Sequence, residues 1–197
     1  DQTYRPRFKH ILVPGFNMIP VFIRLINQEI QNVKKGKIGY ILLKMNGLQD
    51  GEMVDHLYRA SQAGVKIELI IRGVCTLKTG QPYSKNIRVI RIVDRYLEHA
   101  RVFVFLNDGN HLVYMGSADW MKRNLRRRVE CIFPIYNPDA RKELLDILNI
   151  QLEDNVKACE IDENLNNNRI NNNGPDVRAQ IATHEYFKKK YTLSRTP

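Results

Sequence analysis

His99 and Arg101 stand two residues apart in a segment with extended character, so an imidazole and a fixed cation project to the same side of the chain. Downstream, Asn107-Asp108-Gly109-Asn110 separates two β-rich runs, 101–106 and 111–116, a pattern that predicts a hairpin. With the turn centred between Asp108 and Gly109, facing residues have numbers summing to about 217, which sets Arg101 against Gly116 and brings His99 near Ser117 and Ala118. An imidazole, a cation, a hydroxyl and turn N–H groups gathered in this way suit a phosphoryl group. Phosphate oxygens need oriented cations and donors, and transfer of the group needs a residue that titrates near neutrality.

Other residues belong to the same expectation. Asp94, Arg95 and Glu98 crowd the approach to His99, a density of ionisable groups that a core would not hold without partners. Arg72, before Gly73 at a predicted strand end, offers a second phosphate contact. Arg128 and Glu130 are expected to share one strand face, the acid holding an arginine or a donor group of a nucleotide, or paired structurally. The run 122–128, KRNLRRR, reads either as a solvated face or as the wall of a polyanion channel. His10, His56, His111 and His184 lack comparable company and read as structural or surface residues.

The elements that must position these groups follow from periodicity. A short apolar strand at 11–13 ends at Pro14-Gly15, and helical spacing runs over 20–35 with Gly36 as the stop. A strand at 38–45, a helix from Asp50 as cap to 63, and a strand at 65–71 complete a strand–helix–strand–helix–strand order. That order predicts an α/β domain whose ligands sit beyond the carboxyl ends of parallel strands. Further strands are expected at 87–93 and 128–134, a helix over 139–152, a low-complexity Asn-rich loop at 164–173 and a basic helix at 175–190.

Composition bounds the partners. The 197 residues carry 31 Lys+Arg against 21 Asp+Glu, a formal charge of +10 that favours polyanions. At 43% hydrophobic and 26% charged the chain is neither disordered nor collagen-like. Arg24, Lys44, Lys66 and Arg72 interrupt every apolar run before it could span a bilayer, so the chain reads as soluble. Cys75, Cys131 and Cys159 form no zinc pattern and read as reduced, cytoplasmic thiols. The start at Asp1-Gln2-Thr3, with no initiator Met, reads as a piece of a longer protein.

At the candidate residues a family resemblance becomes specific. Residues 92–102 (IVDRYLEHARV), 116–124 (GSADWMKRN) and 128–130 (RVE) resemble the carboxy-terminal domain of bacterial polyphosphate kinases. Segments 42–46, 64–65, 71–75, 156–158 (VKA) and 177–180 (VRAQ) are similar in order, so the resemblance covers nearly the whole chain.

The resemblance implies a phospholipase D-like α/β domain with a mixed β-sheet flanked by helices. Residues 1–14 would be the tail of a preceding domain and 15–197 the last domain of the enzyme. The implied activity is reversible transfer of the terminal phosphate of ATP to inorganic polyphosphate through a phosphohistidine, with Mg2+ whose ligands lie outside this chain. The partners would be ATP or ADP, polyphosphate and the remaining domains of the polypeptide, in a homo-oligomer with no specific nucleic acid. The location would be cytoplasmic, membrane association of the full enzyme being left open. In the family the residue matching His99 is essential and contacts ATP, the one matching Arg72 contacts ATP phosphate, and those matching Arg128 and Glu130 lie near the nucleotide. The main phosphorylated histidine belongs to the preceding domain. Together with the residue-level reading this makes His99 the catalytic candidate, and Arg72, His99, Arg101, Ser117, Arg128 and Glu130 the ATP- or phosphate-binding set.

Against the phospholipase D pattern, Arg101 replaces Lys, Asp119 stands where Asn is usual, and Leu106 takes the place of the Asp that would orient the histidine, with Glu98 and Asp94 as candidate substitutes. Two other readings stay open. One is phosphodiester chemistry by a self-associated pair of these domains, and the other is a non-catalytic basic domain that binds nucleic acid through 122–128 and the C-terminal lysines.

Overall fold

The computed structural model describes residues 6–193, so the basic Arg5 and the start of the expected 1–14 segment lie outside the described residues. Its centre is an eight-stranded mixed sheet. The strands are β1 (Tyr40–Met45), β2 (Lys66–Ile71), β3 (Ile87–Ile92), β4 (Arg101–Phe105), β5 (Leu112–Gly116), β6 (Ile132–Pro134), β7 (Ala158–Ile161) and β8 (Asn167–Arg169), in the order β6-β5-β4-β1-β2-β3-β7-β8. β1, β2 and β3 run parallel and the remaining pairings are antiparallel. The carboxyl ends of β1, β2 and β3 therefore share one edge with the start of β4 and the end of β5.

Alternation along the strands builds two cores. Ile41, Leu43, Met45, Ile67, Leu69, Phe103 and Phe105 face helices α1 (Met18–Lys34) and α2 (Gly51–Gln62), while Leu42, Ile70, Ile90, Val102 and Val104 join Leu148 and Ala179 in the other layer. Leu148 belongs to α4 (Pro138–Leu152) and Ala179 opens α5 (Ala179–Leu193). Both faces of the central strands are buried, which is why β1 and β2 read as nearly continuous apolar runs. Asp50 caps α2 as expected, its side chain accepting from Met53 N.

The hairpin forms in the expected register, Arg101 opposite Gly116 and Phe105 opposite Leu112. Asn107, Asp108 and Gly109 all take positive φ (47°, 57° and 86°), which suits their residue types. At Gly116 the backbone of the next strand approaches so closely that an added Cβ would lie 2.1 Å from Cys131 O and 2.7 Å from Ile132 Cα. Gly116→Ala is expected to cost about 2–3 kcal/mol by forcing β5 from β6, measurable as a drop in denaturant midpoint.

Three expectations are corrected. The 128–134 strand shrinks to β6, because Lys122–Arg126 forms a short helix, α3, and the amides of Arg127 and Arg128 bond back to Arg123 O. Arg128 and Glu130 thus share no strand face. The Asn-rich stretch is not all loop. Asp162 Oδ1 takes the amides of Asn164 and Asn166 and turns the chain so that β8 pairs with β7, neither of which was expected as a strand. The expected strand at 11–13 is a single bridge, Leu12 to Ile132.

Candidate active site

The loops leaving β1, β2 and β5 are sewn together at the shared edge. Leu48 N donates to Val74 O, Thr76 N donates to Leu48 O, and the amides of Gln49 and Asp50 both donate to Trp120 O. Trp120 itself is fully buried and packs on Phe22 and Phe103, so this floor is anchored in the larger core.

On that floor Arg101 and Asp119 form the central pair. Arg101 Nε and Nη2 donate to the two oxygens of Asp119 at 3.2 and 2.9 Å, and Asp119 Oδ1 also accepts from the amides of Asn46 (2.7 Å) and Gly47 (3.0 Å). Arg101 then reaches His99 twice, through Nη1 to its carbonyl (2.8 Å) and through Nη2 to ring Nε2 (2.9 Å). A guanidinium only donates, so this contact requires the lone pair on Nε2 and the ring proton on Nδ1. His99 is exposed at the edge, while Arg101 is mostly covered.

Arg72 follows the last residue of β2 and lies beside Asn46, the first residue beyond β1, because Met45 and Ile71 pair in the parallel register. Its Nη2 donates to Asn46 Oδ1, an amide oxygen rather than a carboxylate, and its Nε is buried without a partner. The network thus runs from His99 through Arg101, Asp119 and Asn46 to Arg72. Ser117 and Glu130 form a second group. Ser117 Oγ donates to Glu130 Oε2 and accepts from Cys131 N, and Asn124 Nδ2 donates to Glu130 Oε1 at 2.7 Å. Arg128 is exposed just beyond α3, with no ion pair to its side chain among the described residues.

The acids expected around His99 go elsewhere. Asp94 pairs with Arg178, which holds its carboxyl below the ordinary carboxylate range. Glu98 bonds to the buried Lys44 and to Gln151. Burial pushes Lys44 down and the Glu98 carboxylate partly restores it. Neither acid orients His99, and Leu106 lies beyond the far end of β4, about 20 Å along an extended chain from His99. No side chain at position 106 could reach the imidazole. A cavity of about 340 Å³, lined mainly by apolar groups such as Val102, Leu144 and Leu148, also takes Glu98 and Ala100 but not His99, as strand-like alternation requires.

The structure thus brings His99, Arg101, Ser117, Glu130 and Arg72 to one edge. Residue reasoning missed Asn46 and the role of Asp119. Asn46 was signalled by its place immediately after β1, where the parallel register sets it beside Arg72. Of the basic run, Arg126 is spent on Asp50 and Glu52. Among the described residues no group of three or more His, Cys, Asp or Glu could hold a metal ion, and the nearby carboxylates are engaged as described, so these residues do not make a magnesium site. Among the described residues no helix is long and apolar enough to cross a membrane.

A family model described as Polyphosphate kinase C-terminal domain 2 matches residues 11–180. The polyphosphate kinase of Vibrio cholerae serotype O1 is 45% identical over 191 residues, covering 95% of this chain and 27% of its own length. The chain therefore spans little more than a quarter of such relatives. The crystal structure of polyphosphate kinase from Porphyromonas gingivalis superposes with a TM-score of 0.94 at 53% identity, over 95% of this chain and 29% of that one. A phospholipase D family member, Nuc from Salmonella typhimurium, superposes with a TM-score of 0.54 at 15% identity, covering 77% of this chain and 97% of that one, a likeness of fold alone.

Proposed function

The chain belongs to the polyphosphate kinase C-terminal domain family, and from that premise we propose that it supplies one wall of a site that moves the terminal phosphate of ATP reversibly onto inorganic polyphosphate. In the forward direction the bond between the γ-phosphorus and the bridging oxygen breaks, ADP keeps that oxygen, and the phosphoryl group bonds to a histidine nitrogen of the preceding domain. It then passes to a terminal oxygen of the polyphosphate. Residues 15–197 form the last domain of that enzyme and 1–14 the tail of the one before. Magnesium is assigned to the complete enzyme with ligands outside this chain.

The roles follow from the donors left open. His99, its Nε2 occupied by Arg101, turns Nδ1–H into the donor available to phosphoryl oxygens, which makes it a hydrogen-bonding stabiliser of developing charge. Arg101 is largely consumed by Asp119 and acts mainly by holding His99. Arg72 binds nucleotide phosphate, with Arg128 as an outer cation. Ser117 and Glu130, bonded to each other, stand at the nucleotide side.

The observation that carries this reading is Arg72, a guanidinium at the carboxyl end of a parallel strand, tied to an amide oxygen and, among the described residues, paired with no carboxylate. Charge-assisted contacts to phosphate are worth about 1.5–3 kcal/mol each. Arg72→Ala in the complete enzyme is therefore expected to raise KM for ATP about 10- to 100-fold, read from ATP consumption with polyphosphate as acceptor. An unchanged KM would remove Arg72 from the nucleotide site. If single-stranded DNA displaced polyphosphate at equal phosphate concentration, binding would be generic electrostatics and the nucleic-acid reading would take its place.

A further inference from the structure

Residues 94–99, the stretch that presents His99, belong to no helix or strand, and no backbone-to-backbone hydrogen bond reaches them among the described residues. Fixing such a segment costs backbone entropy at every residue, so something else must hold it. Side chains do, and two of them come from the start of α5. Arg178 donates from Nε and Nη2 to the two oxygens of Asp94 at 2.8 and 2.6 Å. Gln180 clamps the backbone of Tyr96, its Oε1 accepting from Tyr96 N (2.9 Å) and its Nε2 donating to Tyr96 O (2.8 Å), as a neighbouring strand would. The same Nε2 lies 3.1 Å from Glu98 Oε1, whose other oxygen is taken by Lys44 and Gln151.

The start of α5 is itself pinned. Buried Asp154 accepts from the amides of Val156, Lys157 and Ala158 through Oδ1 and from Ala179 N through Oδ2 at 2.7 Å. Asn155 N donates to Val177 O, and Asn155 Oδ1 accepts from Val177 N. The VKA and VRAQ strings, which no catalytic role absorbs, are thus two halves of one joint.

We propose that Arg178 and Gln180 are positioning residues that set where His99 stands, through the clamp on residues 94–98. This rests on the reading of His99 as a phosphate-facing residue. Arg178 and Gln180 bond to neither His99 nor Arg72, so they act through the segment. Because Arg178 lowers the Asp94 carboxyl, the ion pair's contribution is complete above the ordinary carboxylate value of 3.8 and is lost only as pH falls through the lowered folded value. The clamp is at full strength throughout the neutral range.

The test combines hydrogen exchange and kinetics on the complete enzyme carrying Arg178→Ala or Gln180→Ala. Exchange of the Tyr96 amide, which donates to Gln180, is expected to rise at least about tenfold while β1 and β2 stay protected. Turnover is expected to fall at least about tenfold with KM for ATP within about threefold, since Arg72 is held separately by Asn46. The reciprocal exchange, Asp94→Arg with Arg178→Asp, is expected to restore part of both. Unchanged exchange at the Tyr96 amide, a rise spread over the whole sheet, or local loosening with normal turnover would each overturn the proposal. If the unmodified enzyme makes no polyphosphate, the functional reading fails, and the exchange result still decides whether α5 holds the segment.

Discussion

His99→Ala in the complete enzyme is expected to lower polyphosphate synthesis, and its reversal to ATP, by about 10²- to 10⁴-fold while leaving the melting temperature nearly unchanged. The separation of the two effects follows from where the ring sits. It is exposed, it contributes no core contact, and its hydrogen bond goes to Arg101, which keeps Asp119 when the ring is gone. What disappears is the donor facing the phosphoryl group. His99→Gln, whose amide donor cannot reproduce the position and direction of the ring Nδ1–H, is expected to recover only a small part of the loss. Activity within a few-fold of normal in His99→Ala would reduce this domain to a scaffold or a polyanion-binding surface.

Asp119→Ala is expected to be the most damaging change to the fold itself, at about 3–5 kcal/mol, because it strands a covered guanidinium and two backbone donors together. The Asp119 side chain is only 3% exposed and that of Arg101 12%. Urea denaturation of Asp119→Ala, Arg101→Met and the double variant would measure the coupling. The double variant is expected to be more stable than Asp119→Ala alone, since no unpaired charge remains, yet still inactive because the His99 ring loses its contact with Arg101. Asp119→Asn keeps an acceptor for the amides of Asn46 and Gly47 and is expected to fall between. Additive single effects would mean that the ion pair is incidental.

These expectations recast two departures from the phospholipase D pattern as one. Arg101 in place of Lys and Asp119 in place of Asn look like independent losses when each is set against the pattern alone. In space they are partners, a forked cation on a bidentate acid, so the second change neutralises the first. The missing acid at position 106 is irrelevant to His99 because the length of β4 separates them. The basic run 122–128 could not be judged from its charges, since Asp50 and Glu52, which take up Arg126, lie more than seventy residues earlier.

What the amino-acid order determined by itself was local. The Asn-Asp-Gly turn and the alternation of β4 and β5 set the hairpin register, which put Arg101 against Gly116 and His99 beside Ser117. Asp50 and Gly64 bounded α2, and the strand ends placed Arg72 at the edge where parallel strands open. The motif strings carried the family. Only the tertiary structure decided which acid neutralises which base. Arg101 found Asp119 across a strand and a turn, Asp94 found Arg178 eighty-four residues away, and Lys44 found Glu98 from the neighbouring strand. Strand order and helix docking choose such partners, because a covered charge must be matched by whatever opposite charge the packing brings within reach. Residues adjacent in sequence, such as Glu98 and His99, were sent to opposite sides of the same extended backbone.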